Sequence, residues 1–201
     1  MKNEIIKIGI TGGIGSGKSY ISEILRKREI PVFDSDSEAK VLMKRSPYII
    51  SSLKNILGNE IYINGEINKP LMASFLFSSK ENAEKINSII HPCVKAEFIS
   101  WTERKKNEGY VFLFIESAIL FESGLNDIVD KIITVHAPLD IRISRVIKRD
   151  NTTEEKVIER INSQMSEEEK LQKSDFVIEN DGKRNVEEQL DDIFSLLSNK
   201  R

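Results

Sequence analysis

The sequence has little cysteine, little net charge and no long apolar run, and each shortage excludes a class of protein. Cys93 is its one cysteine, so no disulfide can form within the chain, and a single thiol makes no metal site. The 30 basic and 32 acidic residues leave a net charge of -2, which gives no electrostatic reason to expect a nucleic-acid or membrane partner. No apolar run approaches the roughly 18 residues of a membrane helix, and MKNEIIKIGI reaches glycines too soon for a signal peptide. We therefore expect a cytoplasmic protein.

The sequence does contain a regular alternation of apolar runs and helical patterns. Five runs predict strands: Ile5–Thr11, Pro31–Phe33, Tyr110–Glu116, Lys131–His136 and Phe176–Glu179. Most are apolar without strict alternation, as expected of parallel strands that are covered on both faces, and YVFLFI at Tyr110–Ile115 is expected mid-sheet. Because helical patterns separate the runs, we predict an α/β fold, a three-layer sandwich around a five-stranded parallel sheet.

Capping and proline signals set the predicted helix boundaries. The helices are Lys18–Arg28, Ser35–Arg45, Pro47–Leu57, Pro70–Phe77, Lys80–Lys105, Leu139–Asp150, Thr153–Met165, Glu167–Lys173 and Asn185–Ser198. Three of them are predicted to open on capping boxes, at Ser35–Glu38, Ser78–Glu81 and Ser166–Glu169. Pro92 is expected to break or kink the longest helix.

Two regions contain more helices than a simple connection between parallel strands needs, since one helix is enough for such a crossover. We predict a helical insertion over residues 35–108, within a single domain of residues 1–201, at the strand ends where ligand sites of α/β proteins form. Residues 139–165 are rich in arginine and glutamate and are predicted to form a mobile lid.

A glycine-rich loop follows the first strand. GGIGSGKS fits G-x-x-x-x-G-K-[ST] between a strand and a helix, where backbone N–H groups and the helix N-terminus attract phosphate. We predict that it binds a nucleotide through Gly12, Gly13, Ile14, Gly15, Ser16, Gly17, Lys18, Ser19 and Tyr20. Lys18 would reach the β- and γ-phosphates and Ser19 would bind Mg²⁺. The D-x-x-G, N/T-K-x-D and LSGGQ signatures of GTPases and ABC-type ATPases are not found, which favours a small-molecule kinase.

Acidic residues follow the second and third predicted strands. Transfer to an alcohol needs a carboxylate that takes the hydroxyl proton, and Asp34 is the predicted base. Asp36 is predicted to contact Mg²⁺ or the acceptor, with helix capping as the alternative. Glu116 is predicted to hold Mg²⁺ through water, and a plain strand-end acid is the alternative. Glu122 is predicted to face the acceptor, unless it is a solvated helix residue.

Arginines concentrate in the predicted lid. Arg145 and Arg149 share a helix face, Arg142 lies on the same helix, and Arg160 follows on the next helix with Gln164 on its face. Guanidinium groups stack on adenine and bind phosphate oxygens. The alternative is ion pairing with Asp140, Glu154, Glu155 and Glu159. Glu167–Lys170 is predicted as a solvated face.

Two further residues are candidates. His91 lies in the insertion, where it is either structural or an acceptor contact. Asn180 begins an Asn-Asp-Gly turn after the fifth strand, where it contacts adenine or belongs to a plain turn.

Taken in order, these motifs resemble the dephospho-CoA kinase family. The matching segments are TGGIGSGKS, the acid pair at Asp34, His91-Pro92, ILFE at Glu122, RVIKRD from Arg145, RINSQM from Arg160 and DFVIENDG around Asn180. The resemblance implies transfer of the ATP γ-phosphate to the ribose 3′-hydroxyl of dephospho-CoA, the last step of coenzyme A synthesis, with Mg²⁺. It also implies that residues 35–108 hold the acceptor and that Arg160 reaches the transferring group. Of Arg145 and Arg149, one would stack on adenine and the other would bind phosphate.

The sequence departs from the usual family pattern at a few positions. Glu116 stands where the family usually has Asp, Ser35 replaces Ala in the acid pair, and Lys69 stands where an Arg often begins a helix. One alternative is another small-molecule kinase, such as one for nucleoside monophosphates, although Arg45 and Arg104 are the only arginines between Ser35 and Glu108. Another is a nucleotide-dependent binding module, in which Asp34 would be dispensable. We expect a monomer or a small homo-oligomer.

Overall fold

A computed structural model describes residues 5–198, and the chain divides into two compact units. One unit comprises residues 34–103, and the other is built from the segments before and after it. The strands of the described chain are β1 (Ile6–Thr11), β2 (Val32–Asp34), β3 (Tyr62–Ile63), β4 (Glu66–Ile67), β5 (Phe112–Glu116), β6 (Lys131–His136) and β7 (Phe176–Glu179). The helices are α1 (Lys18–Lys27), α2 (Ser35–Arg45), α3 (Pro47–Leu57), α4 (Lys69–Ser78), α5 (Lys80–Asn107), α6 (Leu139–Asp150), α7 (Glu154–Asn162), α8 (Glu167–Gln172) and α9 (Val186–Ser198).

The predicted five-stranded parallel α/β sheet is confirmed, with strand order β2-β5-β1-β6-β7. β1 is the central strand and pairs in parallel with β5 and β6, so that Ile10 lies opposite Glu116 on one side and Ile133 on the other. β5, the most apolar run, is an interior strand beside the centre. Residues of α1 and α9, including Ile21 and Leu190, pack with the buried residues of β1, β5, β6 and β7 in one apolar cluster. The loop after β1 therefore leaves the middle of the sheet.

The 34–103 unit contains α2 to α4, most of α5 and a short hairpin. In the hairpin, β3 pairs antiparallel with β4 across Asn64 and Gly65, which both have positive φ. No strand was predicted for this segment. Within the unit, Ile49, Leu53 and Ile61 are fully buried.

Helix α5 runs through Pro92 without a break, so of the predicted break or kink the break is wrong. Pro92 lacks an N–H and forfeits one helical hydrogen bond. Buried residues recur every four positions along one face, at Ile86, Ile90, Val94 and Phe98. Because this face is packed on both sides of the proline, tertiary contacts carry the helix across it.

The structure moves two predicted caps by one residue. Asp34, not Ser35, caps α2, because its side chain accepts the N–H groups of Asp36 and Ser37. Ser79 takes the role predicted for Ser78, since its Oγ accepts the Asn82 N–H. The Ser166–Glu169 capping box of α8 is confirmed. Within residues 5–198, none of the helices combines the length and apolarity that crossing a bilayer requires.

Candidate functional site

The loop of residues 12–19 joins β1 to α1 and is tightly enclosed. Gly12 and Gly17 have φ values of 147° and 99°, which side chains rarely adopt. A Cβ on Gly12 would lie 2.3 Å from the Val135 carbonyl oxygen, and one on Gly17 would lie 2.1 Å from Asn180 Nδ2. Lys18 Nζ donates to the carbonyl oxygens of Gly12, at 2.9 Å, and Gly13, at 3.2 Å. The ammonium group therefore lies over the start of its own loop.

Two hydroxyl groups of α1 meet the carboxylate at the end of β5. Ser19 Oγ donates to Glu116 Oε1 at 2.9 Å, and Ser22 Oγ donates to Glu116 Oε2 at 2.6 Å. Glu116 is only 9% exposed. Serines three residues apart share a helix face, so both point to the neighbouring strand end. Sequence reasoning missed Ser22, although this spacing from Ser19 is the signal that could have found it.

These oxygens fit Mg²⁺, which prefers oxygen ligands and is usually held by one or two carboxylates together with substrate phosphates and water. Among residues 5–198 there is no cluster of three or more His, Cys, Asp or Glu side chains that could hold a metal. A site built from Ser19, Glu116 and a bound nucleotide requires no such cluster.

Arg145 and Asn180 contact the far side of the same loop. Arg145 donates to the carbonyl oxygens of Ser16, at 3.3 Å, and Asn180, at 3.0 Å. Asn180 Nδ2 donates to Ser16 O at 2.8 Å, and Asn180 is 8% exposed. Tyr20, in contrast, is exposed. The structure thus brings Arg145 and Asn180 against the loop backbone.

A cavity of about 200 Å³ opens beside these groups. It is lined by Gly15, Gly17, Lys18, Ser19, Arg145, Val146 and Arg149. The lining combines loop backbone with three cationic side chains, which suits an anionic ligand.

Arg142 is buried against the loop, and among the described residues it forms none of the ion pairs that were given as the alternative. Its Nε donates to the Ile14 carbonyl oxygen at 3.1 Å, and its guanidinium pairs with Glu167. Glu167 Oε1 also lies 2.9 Å from His136 Nδ1. The prediction that Glu167–Lys170 forms a solvated face is wrong for Glu167, because its carboxylate balances a guanidinium that is 3% exposed.

Arg149 and Arg160 converge on one acid that the sequence did not single out. Arg149 binds both oxygens of Asp150, at 2.7 and 3.1 Å, and Arg160 NH1 donates to Oδ2 at 2.8 Å. The hydrogen bond from Arg149 is the main cause that lowers the pKa of Asp150. The alternative given for these arginines, ion pairing within the helices, is therefore present. The partner is Asp150, however, and not one of the four acids named in that alternative.

Glu122 lies in a turn, so the alternative that it is a solvated helix residue is wrong. Its Oε1 accepts the Met165 N–H at 2.8 Å and lies 3.4 Å from Lys170 Nζ. Lys170 has no exposed side-chain surface and also donates to the Ala118 carbonyl oxygen at 2.8 Å. Burial lowers the pKa of Lys170, and the charge of Glu122 opposes that shift. The solvated-face prediction is therefore wrong for Lys170 as well.

The remaining candidates belong to the 34–103 unit. Asp34 Oδ1 accepts the N–H groups of Asp36 and Ser37, at 3.1 and 3.0 Å, and Oδ2 accepts the Ser37 hydroxyl at 2.8 Å. Asp36 is exposed in the first turn of α2, where its charge complements the helix dipole. His91 is half-buried in α5, and burial lowers its pKa.

The chain is similar to known proteins along nearly its whole length. The family model described as CoaE, dephospho-CoA kinase, matches residues 6–185. A dephospho-CoA kinase of Bacteroides fragilis is 45% identical over 195 residues, which cover 97% of this chain and 94% of the relative. A dephospho-CoA kinase of Porphyromonas gingivalis is 44% identical, over 81% of this chain and 79% of the relative.

Solved structures share the fold over nearly the whole chain. TT1252 from Thermus thermophilus has a TM-score of 0.82 at 30% identity and covers 98% of both chains. Dephospho-CoA kinase from Campylobacter jejuni has a TM-score of 0.67 at 24% identity, over 98% of this chain and 96% of its own. A shikimate kinase from Bacteroides thetaiotaomicron, at 12% identity and a TM-score of 0.53 over 96% and 98% of the two chains, shares the fold.

Proposed function

The chain belongs to the dephospho-CoA kinase family, and from this membership we propose which of its residues carry the reaction. It is a kinase that transfers the γ-phosphate of ATP to the ribose 3′-hydroxyl of dephospho-CoA, the final step of coenzyme A synthesis. The observation that carries this assignment is the family match over residues 6–185. The alternative of a nucleoside monophosphate kinase is not favoured. The protein is proposed to be cytoplasmic, as a monomer or small homo-oligomer.

The donor is proposed to bind at the loop of residues 12–19. Backbone N–H groups from Gly12 to Tyr20 and the start of α1 would hold the phosphates, and Lys18 would exchange its loop carbonyls for phosphate oxygens. Arg145 and Asn180, which hold the loop from outside, are proposed on the adenine side. Ser19 and, through water, Glu116 would hold Mg²⁺, which when bound neutralises charge on the phosphates.

The acceptor is proposed to bind residues 35–108, with Asp34 as the base. As the 3′-oxygen bonds to the γ-phosphorus, its proton passes to Asp34 while the bond from phosphorus to the ADP oxygen breaks. Asp34 ends β2, the strand beside β5 in the sheet, and three donors orient its carboxylate. Asp36, His91 and Glu122 are proposed as acceptor contacts. For Glu122 this leaves Oε2 for the acceptor while Oε1 keeps the Met165 N–H.

The lid is proposed to be residues 139–165. Arg149 and Arg160 would exchange Asp150 for phosphate oxygens, which carry more negative charge and suit the guanidinium fork equally well. The side chains of Arg149 and Arg160 are 62% and 50% exposed, so little packing opposes this movement. Their arrival would exclude water, which competes with the acceptor.

A coupled ADP-release assay tests the function. Dephospho-CoA, 4′-phosphopantetheine and the nucleoside monophosphates are offered separately, with ATP alone as the control for hydrolysis. We expect turnover with dephospho-CoA and a product that carries the new phosphate on the 3′-oxygen by NMR. Turnover with a different acceptor and none with dephospho-CoA would overturn the assignment.

A further inference from the structure

The peptide of Ile14, near the middle of the glycine loop, is held from both sides by the predicted lid. Its carbonyl oxygen accepts from Arg142 Nε at 3.1 Å. Its N–H donates to Gln164 Oε1 at 3.3 Å, across 150 residues of sequence. A side chain from the end of the lid thus uses a backbone donor of the loop that is proposed to bind phosphate.

Gln164 is held in place by its own backbone surroundings. Its N–H donates to the Ile161 carbonyl oxygen at 3.2 Å, at the end of α7. The next N–H along the chain, that of Met165, donates to Glu122, which in turn lies beside the buried Lys170. The side chain of Gln164 therefore projects from an anchored segment towards Ile14.

The contact makes Gln164 a competitor for this donor. A backbone N–H carries one hydrogen, and both a phosphate oxygen and the Gln164 carbonyl oxygen are acceptors. A phosphate oxygen that accepts the Ile14 N–H weakens its hydrogen bond to Gln164 Oε1, and when the phosphate leaves, Gln164 recovers the full hydrogen bond. The exchange needs no change in protonation.

We propose that Gln164 is a positioning residue that competes with the nucleotide for the Ile14 N–H and thereby promotes release of ADP. The proposal rests on the nucleotide site assigned above. Arg160, which is proposed to bind phosphate, lies on the same segment four residues earlier. Product release limits turnover in many enzymes whose sites close under a lid, and a built-in competitor shortens that step.

The substitution Gln164→Met tests the proposal, because methionine keeps the length of the side chain and removes the acceptor. Affinities for ADP and a non-hydrolysable ATP analogue with Mg²⁺ are measured by calorimetry, and ADP release by stopped flow. One competing hydrogen bond contributes about 0.5–1.5 kcal/mol, so both nucleotides should bind about 2- to 10-fold more tightly and ADP should leave correspondingly more slowly. General damage to the site would weaken binding, which is the opposite sign.

Further variants keep the outcome interpretable. Gln164→Leu should tighten binding as Gln164→Met does, and it serves if the methionine variant folds poorly. Gln172→Met, at an exposed glutamine of α8, should leave both affinities unchanged. Unchanged or weaker binding in the folded Gln164 variants would overturn the proposal. If the wild type itself fails to bind ATP or to phosphorylate dephospho-CoA, the assigned function fails instead, so the two failures are distinct.

Discussion

At the residue scale, Asp34 has two roles, helix capping and the proposed acceptance of a proton, which the sequence motif does not distinguish. Its carboxylate caps α2 by accepting two backbone N–H groups, and the same carboxylate is proposed to accept the substrate proton. Removing a capping carboxylate costs about 0.5–2 kcal/mol, whereas asparagine caps helices about as well as aspartate. The two roles can therefore be tested with different substitutions.

We expect Asp34→Asn to remove most turnover and leave folding and ATP affinity intact. An amide keeps the capping oxygen but cannot take the hydroxyl proton, and proton transfer of this kind contributes typically 10²- to 10⁴-fold. The measurements are kcat with dephospho-CoA, ATP affinity by calorimetry and the free energy of unfolding. Asp34→Ala is the comparison, since it should also lose about 1 kcal/mol of stability. Retained kcat in Asp34→Asn would dismiss Asp34 as the base.

Ser22 offers a second test, because it acts on the proposed metal site without belonging to it. Its hydroxyl donates to Glu116 Oε2 at 2.6 Å, so Ser22→Ala leaves that oxygen without its donor in a nearly buried setting. Losing a group that orients a metal ligand typically costs 10- to 100-fold in metal affinity. We expect the Mg²⁺ concentration for half-maximal activity to rise by about tenfold.

The control for this prediction is Ser51→Ala. Ser51 is an exposed serine of α3, and its hydroxyl donates to the Tyr48 carbonyl oxygen of the same helix. The substitution should leave the Mg²⁺ requirement unchanged. An unaltered requirement in Ser22→Ala would argue that Glu116 does not orient the metal.

At the scale of the element, α5 places a histidine in a half-buried position with a consequence for stability. Burial lowers the pKa of His91 from its ordinary value, so between that lowered pKa and about 6.5 the folded state binds fewer protons than the unfolded state. The free energy of unfolding should therefore decrease as the pH falls through this window and level off below it.

We expect His91→Gln to remove this part of the pH dependence. The free energy of unfolding is measured in urea from pH 8 to pH 5, and the difference between variant and wild type is plotted against pH. That difference should be flat above about pH 6.5 and should shift in favour of the variant below it. Ser88→Ala, at an exposed position of the same helix, should give a flat difference throughout. A flat difference for His91→Gln would contradict the prediction.

The elements also show what sequence patterns can and cannot provide. The five sheet strands were predictable because most of them are apolar runs typical of covered parallel strands, whereas the two-residue strands β3 and β4 are too short for any periodicity. Caps were displaced by one residue at Asp34 and Ser79 because neighbouring side chains are equally able to cap, and tertiary packing fixes where the helix begins.

The candidate site also has a part that the sequence predicts and a part that it does not. Lys18 and Ser19 belong to the loop motif itself, so the sequence alone predicts that they lie together at the phosphate site. The contacts of Gln164 with Ile14 and of Glu167 with Arg142 join residues that are 150 and 25 positions apart. Pairings of this kind depend on how the helices pack, and a pattern of charges along one helix does not contain that information.

At the scale of the whole molecule, the turn between α6 and α7 should report the binding of both substrates. Lys148 and Arg149 are exposed beside it, and Asn151 has a positive φ of 48°. If the lid closes over ATP and dephospho-CoA together, trypsin should cleave at these two residues roughly tenfold more slowly than with either ligand alone. Cleavage is followed by mass spectrometry.

The exposed turn at Lys183 and Arg184 provides an internal control, since it lies outside the proposed lid. Its cleavage should change much less than that at Lys148 and Arg149. Equal protection at both turns would indicate general stabilisation by ligand, and no protection at either would contradict lid closure.

Because β1 is the central strand, it can join the sheet only after β5 and β6 have been synthesised. Ile6 pairs with Phe112 and Ile8 with Lys131, so the first strand to leave the ribosome waits for partners more than a hundred residues later. At roughly 5–20 residues per second, that interval lasts on the order of 5–25 seconds, during which an apolar segment has no sheet to join. Such distant pairing also slows folding. Until β6 emerges, the apolar segment of β1 is therefore exposed to aggregation.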